Sequence, residues 1–584
     1  MNKSRRDFLK KLPLAMSIPF TLGGISMRVM GQNVLTRMAA ASHNDRVLII
    51  LQMHGGNDGL NCCIPVARYD DYYSKRANIA IPAANSVRKY VELDSTLEEN
   101  LRIGLHPDMQ AMKAMYDQGR MAVIQGVSYK NNNGSHFRGR DITFMGGSYD
   151  DYFQSGWVGR YLQGEYAPYR YPEEFLNPNV PENDMIDPLA IEIGGDVSLL
   201  FHQEGNIPAS FSLSANGPDD LTDLEGFFED QSVDPRGIPP EYLKDSSYYK
   251  ELKWILDLED KTEDYTKRLR DILNSTSASS VVYPSSYPFN APNGSKTNGL
   301  KDQLKLVARL LAGGCKTKVF LVKIGGFDTH ADQVEKYDPT MGSHAALMYH
   351  VSSSMKAFQE DLRARGQEDR VLTITTSEFS RRVASNGSYG TDHGTAGPMF
   401  IFGKGVKPGV IGDAFLTNAS GTNLAMQYDY RIVYANILRD WMLVDDVQLN
   451  KIFPDGNEED DATKGLMTTG TSDGTVFEEL PLAQQVIMGT EGFIGDRFSL
   501  EDCFPNPATE KTTIHFKVNS AYHVSVDLFN SNGKKVKIMV DGVYNPGEHK
   551  VEVNLTGLPA GTYIYQMKTG FYKEAKKLVV VGNQ

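Results

Sequence analysis

Apolar positions follow two different rhythms along this 584-residue chain. Between about 45 and 450, short unbroken apolar runs alternate with stretches whose apolar residues recur every three or four positions. The run Val47-Leu48-Ile49-Ile50-Leu51 is continuous, as expected of a strand covered on both faces. MAVIQGV, DPLAIEIG, KVFLVKIG, RVLTITTSEF and GPMFIFGKG read as further strands. HPDMQAMKAMYDQG, TNGLKDQLKLVARLLAGG and SHAALMYHVSSSMKAFQEDLRARG have helical spacing. Strand and helix in alternation predict an α/β domain over 42–490, with a mainly parallel sheet flanked by helices.

Two segments break this rhythm. Between about 200 and 300, a charged helical stretch precedes the Ser-, Pro- and Asn-rich SASSVVYPSSYPFNAPNGS. This predicts a helical insertion and a surface loop, placed as a lid or substrate-facing cap. From Phe504-Pro505-Asn506-Pro507 onward, the period falls to two in TTIHFKV, HVSVDLFN, KKVKIMV, HKVEVNL, GTYIYQMK and AKKLVVV. Six or seven short strands separated by SNG, NPG and PAG predict a small antiparallel β-sandwich over 499–584.

Composition narrows the function classes. A formal charge of −13 argues against nucleic-acid binding, because no long Lys/Arg cluster lies outside the N-terminus. Cys62, Cys63, Cys315 and Cys503 form no CxxC pair, leaving buried thiols or a single bridge from Cys62 or Cys63 to Cys315. The N-terminus, MNKSRRDFLKKLPLAMSIPFTLGGISM, is basic and then apolar, but too short and too interrupted by Pro and Gly to span a bilayer. Residues 1–41 therefore read as an export signal and linker that leave no transmembrane anchor after removal. Cleavage after Gly31 and cleavage near Ala39-Ala40-Ala41 both fit.

Chemistry gathers in the loops that follow the strands. Open α/β sheets bind ligands outside the carboxyl ends of their strands. Asp58 lies in GGNDGLN after the first strand, and SYKNNNGSH, ending in Ser135-His136, follows the second. Asp328 and His330 lie in GGFDTHADQ, and Ser377-Glu378 closes RVLTITT. Asp392-His393 in GTDHG precedes the last strand, and His344 opens the long helix. Carboxylates and imidazoles aimed at one point suit a divalent metal or an acid–base site. A capped turn with a surface histidine is the alternative for GGFDTHADQ.

Several of these motifs resemble known families. Arg5-Arg6 followed by Asp7-Phe8-Leu9-Lys10 resembles a twin-arginine signal, which implies passage of a folded chain through the twin-arginine translocase into the periplasm. FPNPA, GLPAGTYIYQM and a Lys-rich last strand resemble the type A sorting domain read by the type IX secretion machinery of Bacteroidetes. That resemblance implies delivery to the cell surface or the medium. GGNDGLN, Ser135-His136-Phe137, GGFDTHADQ with His344, SEFSRR, TDHG and GKGVKPGVIG resemble the domain of unknown function 1501 family over about 45–450. This family is related to the alkaline phosphatase and sulfatase superfamily, so an alkaline-phosphatase-like fold is implied.

Carried over residue by residue, the resemblance implies metal ligation by Asp58, Asp328, His330, Glu378 and His393, with Zn, Mn, Mg or Ca as the cofactor. Ser135 becomes the nucleophile and His136 a catalytic partner, with His344 and Asp392 behind the ligands. The chain departs from the superfamily where Ser377-Glu378 replace a strand-terminal Asp-His, and no CxPSR signature is present. The expectation is an exported metal-dependent hydrolase of phosphate or sulfate esters. The alternative is a non-catalytic surface protein that uses the same fold to bind glycans or protein partners.

Overall fold

A computed structural model describes residues 45–166, 187–215, 265–456, 463–483 and 498–581, apart from gaps of two to four residues, plus two short segments near the N-terminus. Those two, Ile18–Leu22 and Ile25–Val29, pair antiparallel; the rest of the expected export signal lies outside the described residues. Of the expected insertion at 200–300, residues 216–245 and 247–264 also lie outside them. Within it, residues 265–275 are helical and bury Tyr265, Leu269 and Ile272.

The α/β region is built on a nine-stranded sheet. Its strands are β1 (Val47–Met53), β2 (Met121–Ser128), β3 (Ala190–Ile193), β4 (Ser210–Leu213), β5 (Val319–Ile324), β6 (Val371–Thr376), β7 (Gly397–Phe402), β8 (Gly409–Ile411) and β9 (Tyr428–Asp429). They run in the order β4-β3-β5-β1-β6-β7-β2-β8, with β9 also beside β2. All pairings are parallel except those of β7, which runs antiparallel to both β6 and β2. The sheet is thus largely parallel, as the pattern predicts, with one strand reversed.

The unbroken apolar run of β1 reflects burial on both sides. Leu48 and Ile50 enter one core, while Val47, Ile49 and Leu51 enter the other. At about 1.5–3 kcal/mol for each large aliphatic side chain buried, such a strand commits the chain to a central position. On the first face lie α3 (Trp157–Glu165) and α6 (Tyr430–Asp440). On the second lie α1 (Gln110–Asp117), α4 (Leu300–Ala312) and α5 (Ser343–Ala364). Between β2 and α3 runs α2 (His136–Met145), which starts beside the sheet edge that carries the polar loops.

Register aligns that edge. Ile324 of β5 pairs with Met53 of β1, and Thr376 of β6 pairs with Gln52, so His54, Gly325 and Ser377 leave the sheet at one level. Because β7 is reversed, its incoming loop, carrying Asp392 and His393, arrives at the same edge. Gly55 is required in this crowd, with φ of 121° and room for no Cβ, which would stand 2.3 Å from the Asp328 backbone nitrogen.

The C-terminal region forms two antiparallel sheets. Phe498–Leu500, Lys511–Val518 and Gly547–Asn554 make one. Lys535–Tyr544, Tyr522–Phe529, Gly561–Thr569 and Tyr572–Val580 make the other. Alternate residues such as Ile514, Phe516, Val526, Leu528 and Tyr565 fill a shared core, as in a sandwich. All four cysteines are buried and free, so the bridge left open by the sequence does not form. Among the described residues, no helix is long and apolar enough to cross a membrane.

Candidate metal centre

Three imidazoles converge on a single carboxylate oxygen. Asp328 Oδ1 lies 3.4 Å from His136 Nε2, 3.2 Å from His330 Nε2 and 3.3 Å from His393 Nε2. The Nε2 atoms of His330 and His393 are 2.8 Å apart. Donor atoms of His136, Asp328 and His393 all lie within 4.8 Å of one another. The cluster is open to solvent on one side, with the Asp328 side chain 49% exposed and that of His136 25%.

The far side of each ring faces an acceptor. His136 Nδ1 is 2.9 Å from Glu378 Oε1, His393 Nδ1 is 2.7 Å from the Gly134 carbonyl, and His330 Nδ1 is 3.7 Å from Asp392 Oδ1. A carbonyl can only accept, so His393 carries its proton on Nδ1 and turns the Nε2 lone pair toward the cluster. His136 Nε2 is buried and makes no hydrogen bond. With the His393 lone pair turned inward, the 2.8 Å contact to His330 Nε2 requires a proton or a cation between the two nitrogens. His136 and His393, each hydrogen-bonded from behind, show the usual arrangement of metal-ligating histidines. The donor set of His136, Asp328 and His393, two imidazole nitrogens and one carboxylate oxygen with His330 beside them, suits Zn or Mn better than Mg or Ca.

Charge is distributed unevenly around this donor set. Arg381, completely buried, donates to Asp328 Oδ1 at 2.6 Å. Burial works against ionisation of Asp328, but the Arg381 hydrogen bond and charge, with the nearby histidines, hold its pKa down to about 2. Burial lowers the pKa of His393, against the pull of Asp328. The carboxylate is therefore ionised and His393 favours its neutral form, as metal binding requires.

The other expected residues lie at varying distances from this point. Glu378 faces His136 Nδ1 and takes the Gly55 N–H at 2.9 Å, so it sits behind an imidazole rather than among the converging donors. Asp392 sits behind His330. Asp58 lies elsewhere: both its oxygens are 2.8 Å from Arg76 Nη1, and Gln333 Nε2 donates to it at 2.6 Å. Burial opposes its ionisation, but Arg76 leaves its pKa below the ordinary value. His344 is buried, with Nε2 3.1 Å from Asn57 Oδ1, and burial lowers its pKa to about 4. Ser135 caps α2, its hydroxyl accepting the Arg138 N–H at 3.4 Å.

Three residues without an assigned role in the sequence stand here too. Arg381 was visible only as part of SEFSRR. His54 directly follows β1, and its Nδ1 is 3.6 Å from Glu378 Oε1; its position at a strand end was the available signal. The Phe379 ring packs 4.7 Å from His136 and 4.5 Å from His393 between centroids.

The fold and its tail define an α/β protein bearing a secretion domain, exported to the cell surface or medium. Residues 502–581 match the secretion system C-terminal sorting domain. Residues 249–442 match the family described as protein of unknown function (DUF1501), a span that holds Asp328, His330, Glu378 and His393. GGNDGLN and Ser135-His136-Phe137, which the sequence resemblance also drew on, fall before that span. No curated protein matches the chain in sequence.

Solved structures are similar only at a distance. A sulfatase, PsFucS1, from Pseudoalteromonas sp. is 10% identical, with 90% of this chain and 89% of that chain covered and a TM-score of 0.30. A protein in the alkaline phosphatase superfamily from Vibrio parahaemolyticus is 10% identical, covering 88% and 80%, with a TM-score of 0.27. The chain spans 9% of dimeric latent PorU from Porphyromonas gingivalis, which is 20% identical over 15% of this chain, with a TM-score of 0.13.

Proposed function

We propose that this exported protein is a metal-dependent hydrolase of phosphate or sulfate esters. The observation that carries the reading is the convergence of His136, His330 and His393 Nε2 on Asp328, with the His136 and His393 rings hydrogen-bonded from behind. A divalent ion bound there would supply charge neutralisation for an anionic ester and acidify a nearby hydroxyl or water. The chain's own contributions are positional. Glu378 holds the His136 ring, the Gly134 carbonyl holds His393, and Arg381 keeps Asp328 ionised while adding a fixed positive charge.

Ser135 is the nucleophile of this proposal. It opens α2 one residue before His136, where free backbone amides favour an oxyanion. Export through the twin-arginine translocase and the periplasm belongs to the same proposal, since folding before export would load the metal in the cytoplasm. A second reading, a metal-binding surface protein without turnover, is favoured by the engagement of the Ser135 hydroxyl in a helix cap.

Elemental analysis of the purified full-length chain tests the reading, beside Asp328→Ala and His330→Ala. About one equivalent of Zn or Mn, lost in both variants, supports it and leads to screening of phosphate and sulfate esters. A metal-free wild-type chain that binds neither ion on titration sinks it.

A further inference from the structure

Behind the imidazoles lies a second group of polar residues closed to solvent. Asp58, Arg76, Gln333 and Thr391 are fully buried, and Thr329 is 4% exposed. Arg76 is fixed by the carbonyls of Val383 and Arg382 and presents Nη1 to both oxygens of Asp58. Asp58, an acceptor only, takes Gln333 Nε2 at 2.6 Å. That contact decides the orientation of the amide, because the reverse orientation would set the amide oxygen against a carboxylate. Gln333 Oε1 therefore points the other way and accepts the hydroxyls of Thr329 and Thr391, each at 2.9 Å.

These two threonines are placed tellingly. Thr329 stands between Asp328 and His330, and Thr391 stands two residues before His393. The main chains of the two segments also meet, with the Thr391 N–H donating to the Thr329 carbonyl at 3.1 Å. One amide oxygen thus spans the two stretches that bring Asp328 and His330 from one side and His393 from the other.

We infer that Asp58 and Gln333 form a clamp that sets the spacing of the metal-binding imidazoles, with Arg76 as its fixed counter-charge. The inference rests on the metal reading above and gives Asp58 a positioning role in place of ligation. Its logic is electrostatic: the buried charge of Asp58 selects one amide orientation, and that orientation ties His330 to His393. Residues that orient ligands from behind commonly change metal affinity by about 10–100-fold when removed.

The test uses Thr329→Val, Thr391→Val and the double variant, which keep side-chain shape and remove only the hydroxyls. Zn(II) and Mn(II) are titrated calorimetrically into the metal-free full-length chain, and thermal unfolding of each metal-free protein is recorded. The expected result is weaker metal binding in each single variant, by about tenfold, and in the double variant by about 10–100-fold. Thr329→Ser and Thr391→Ser should restore binding, since they return the donor. Gln333→Met should reproduce the double variant.

Metal binding unchanged in the double variant and in Gln333→Met, with only the unfolding temperature lowered, overturns the clamp and leaves the metal reading intact. A wild-type chain that binds neither ion overturns the metal reading itself and the clamp with it.

Discussion

Arg381 meets Asp328 Oδ1 at 2.6 Å, and the same guanidinium donates to the carbonyls of Gly55, Gly56, Phe327 and Thr391. One buried side chain therefore stitches together the loops after β1 and β5 and the segment before β7. Arg381→Met would orphan these acceptors together. The expected cost is about 1–3 kcal/mol, typical of leaving buried acceptors unpaired, since Asp328 itself is half exposed. Arg382→Met, at a side chain 48% exposed, should change stability by less than about 0.5 kcal/mol. Chemical denaturation of the two variants side by side checks the contrast.

Glu378→Gln tests the hold on His136. The variant keeps the shape and can still accept from Nδ1, but without the negative charge that strengthens the contact. Metal affinity should fall by about 10–100-fold with little change in unfolding temperature. Unaltered affinity would show that Glu378 does not orient the ring.

Ser135→Ala separates folding from chemistry. Loss of the helix cap should cost about 1 kcal/mol, read by denaturant titration. Under the hydrolase proposal, turnover of whichever ester is found should vanish while metal content stays constant. A variant that retains turnover would falsify the nucleophile role.

Acid stability should report on His344. Its pKa is lowered by burial to about 4 from an ordinary 6.5, so the folded protein binds fewer protons than the unfolded chain between those values. The contribution of the neutral ring is full above pH 6.5 and is lost as pH falls toward 4. It amounts to on the order of 3 kcal/mol, because each tenfold weakening of proton binding is worth about 1.4 kcal/mol. Asp58 acts at lower pH, because its lowered pKa starts from the ordinary carboxylate range. His344→Asn should therefore flatten the stability profile between pH 6.5 and 4, which denaturation at a series of pH values would show.

How much of this was legible in the sequence depends on the range of the interaction. The strands were readable because burial on both faces leaves continuous apolar runs, as in Val47 to Leu51. The gathering of the loops after β1, β2, β5 and β6 at one edge followed from strand order, whereas His393 joins them only because β7 is reversed, which the apolar pattern does not show. Pairing was not readable. The cation that neutralises Asp58 comes from Arg76 in a short helix, and its amide partner, Gln333, comes from the loop after β5. A motif that places Asp58 near a metal cannot show which neighbour its charge meets. Likewise, His136 reads as an accessory to Ser135 in sequence, whereas α2 turns its ring into the group formed by His330 and His393. Arg381 stood in SEFSRR without a readable role, since its partners are mostly main-chain carbonyls, which every sequence supplies.

The reversed strand β7 has a consequence for where this chain tolerates change. In a uniformly parallel sheet, the site would draw only on segments that trail their strands. Here the stretch from Ser377 to Ala396 forms a continuous excursion that leaves β6 and re-enters at β7 without crossing to the other side. Lengthening it alters the spacing of Glu378, Arg381 and His393 at once, while extra residues after Phe402 would emerge at the opposite rim. A fluorophore attached at Lys404, whose side chain is 48% exposed on that rim, should therefore report on the protein without disturbing its polar edge.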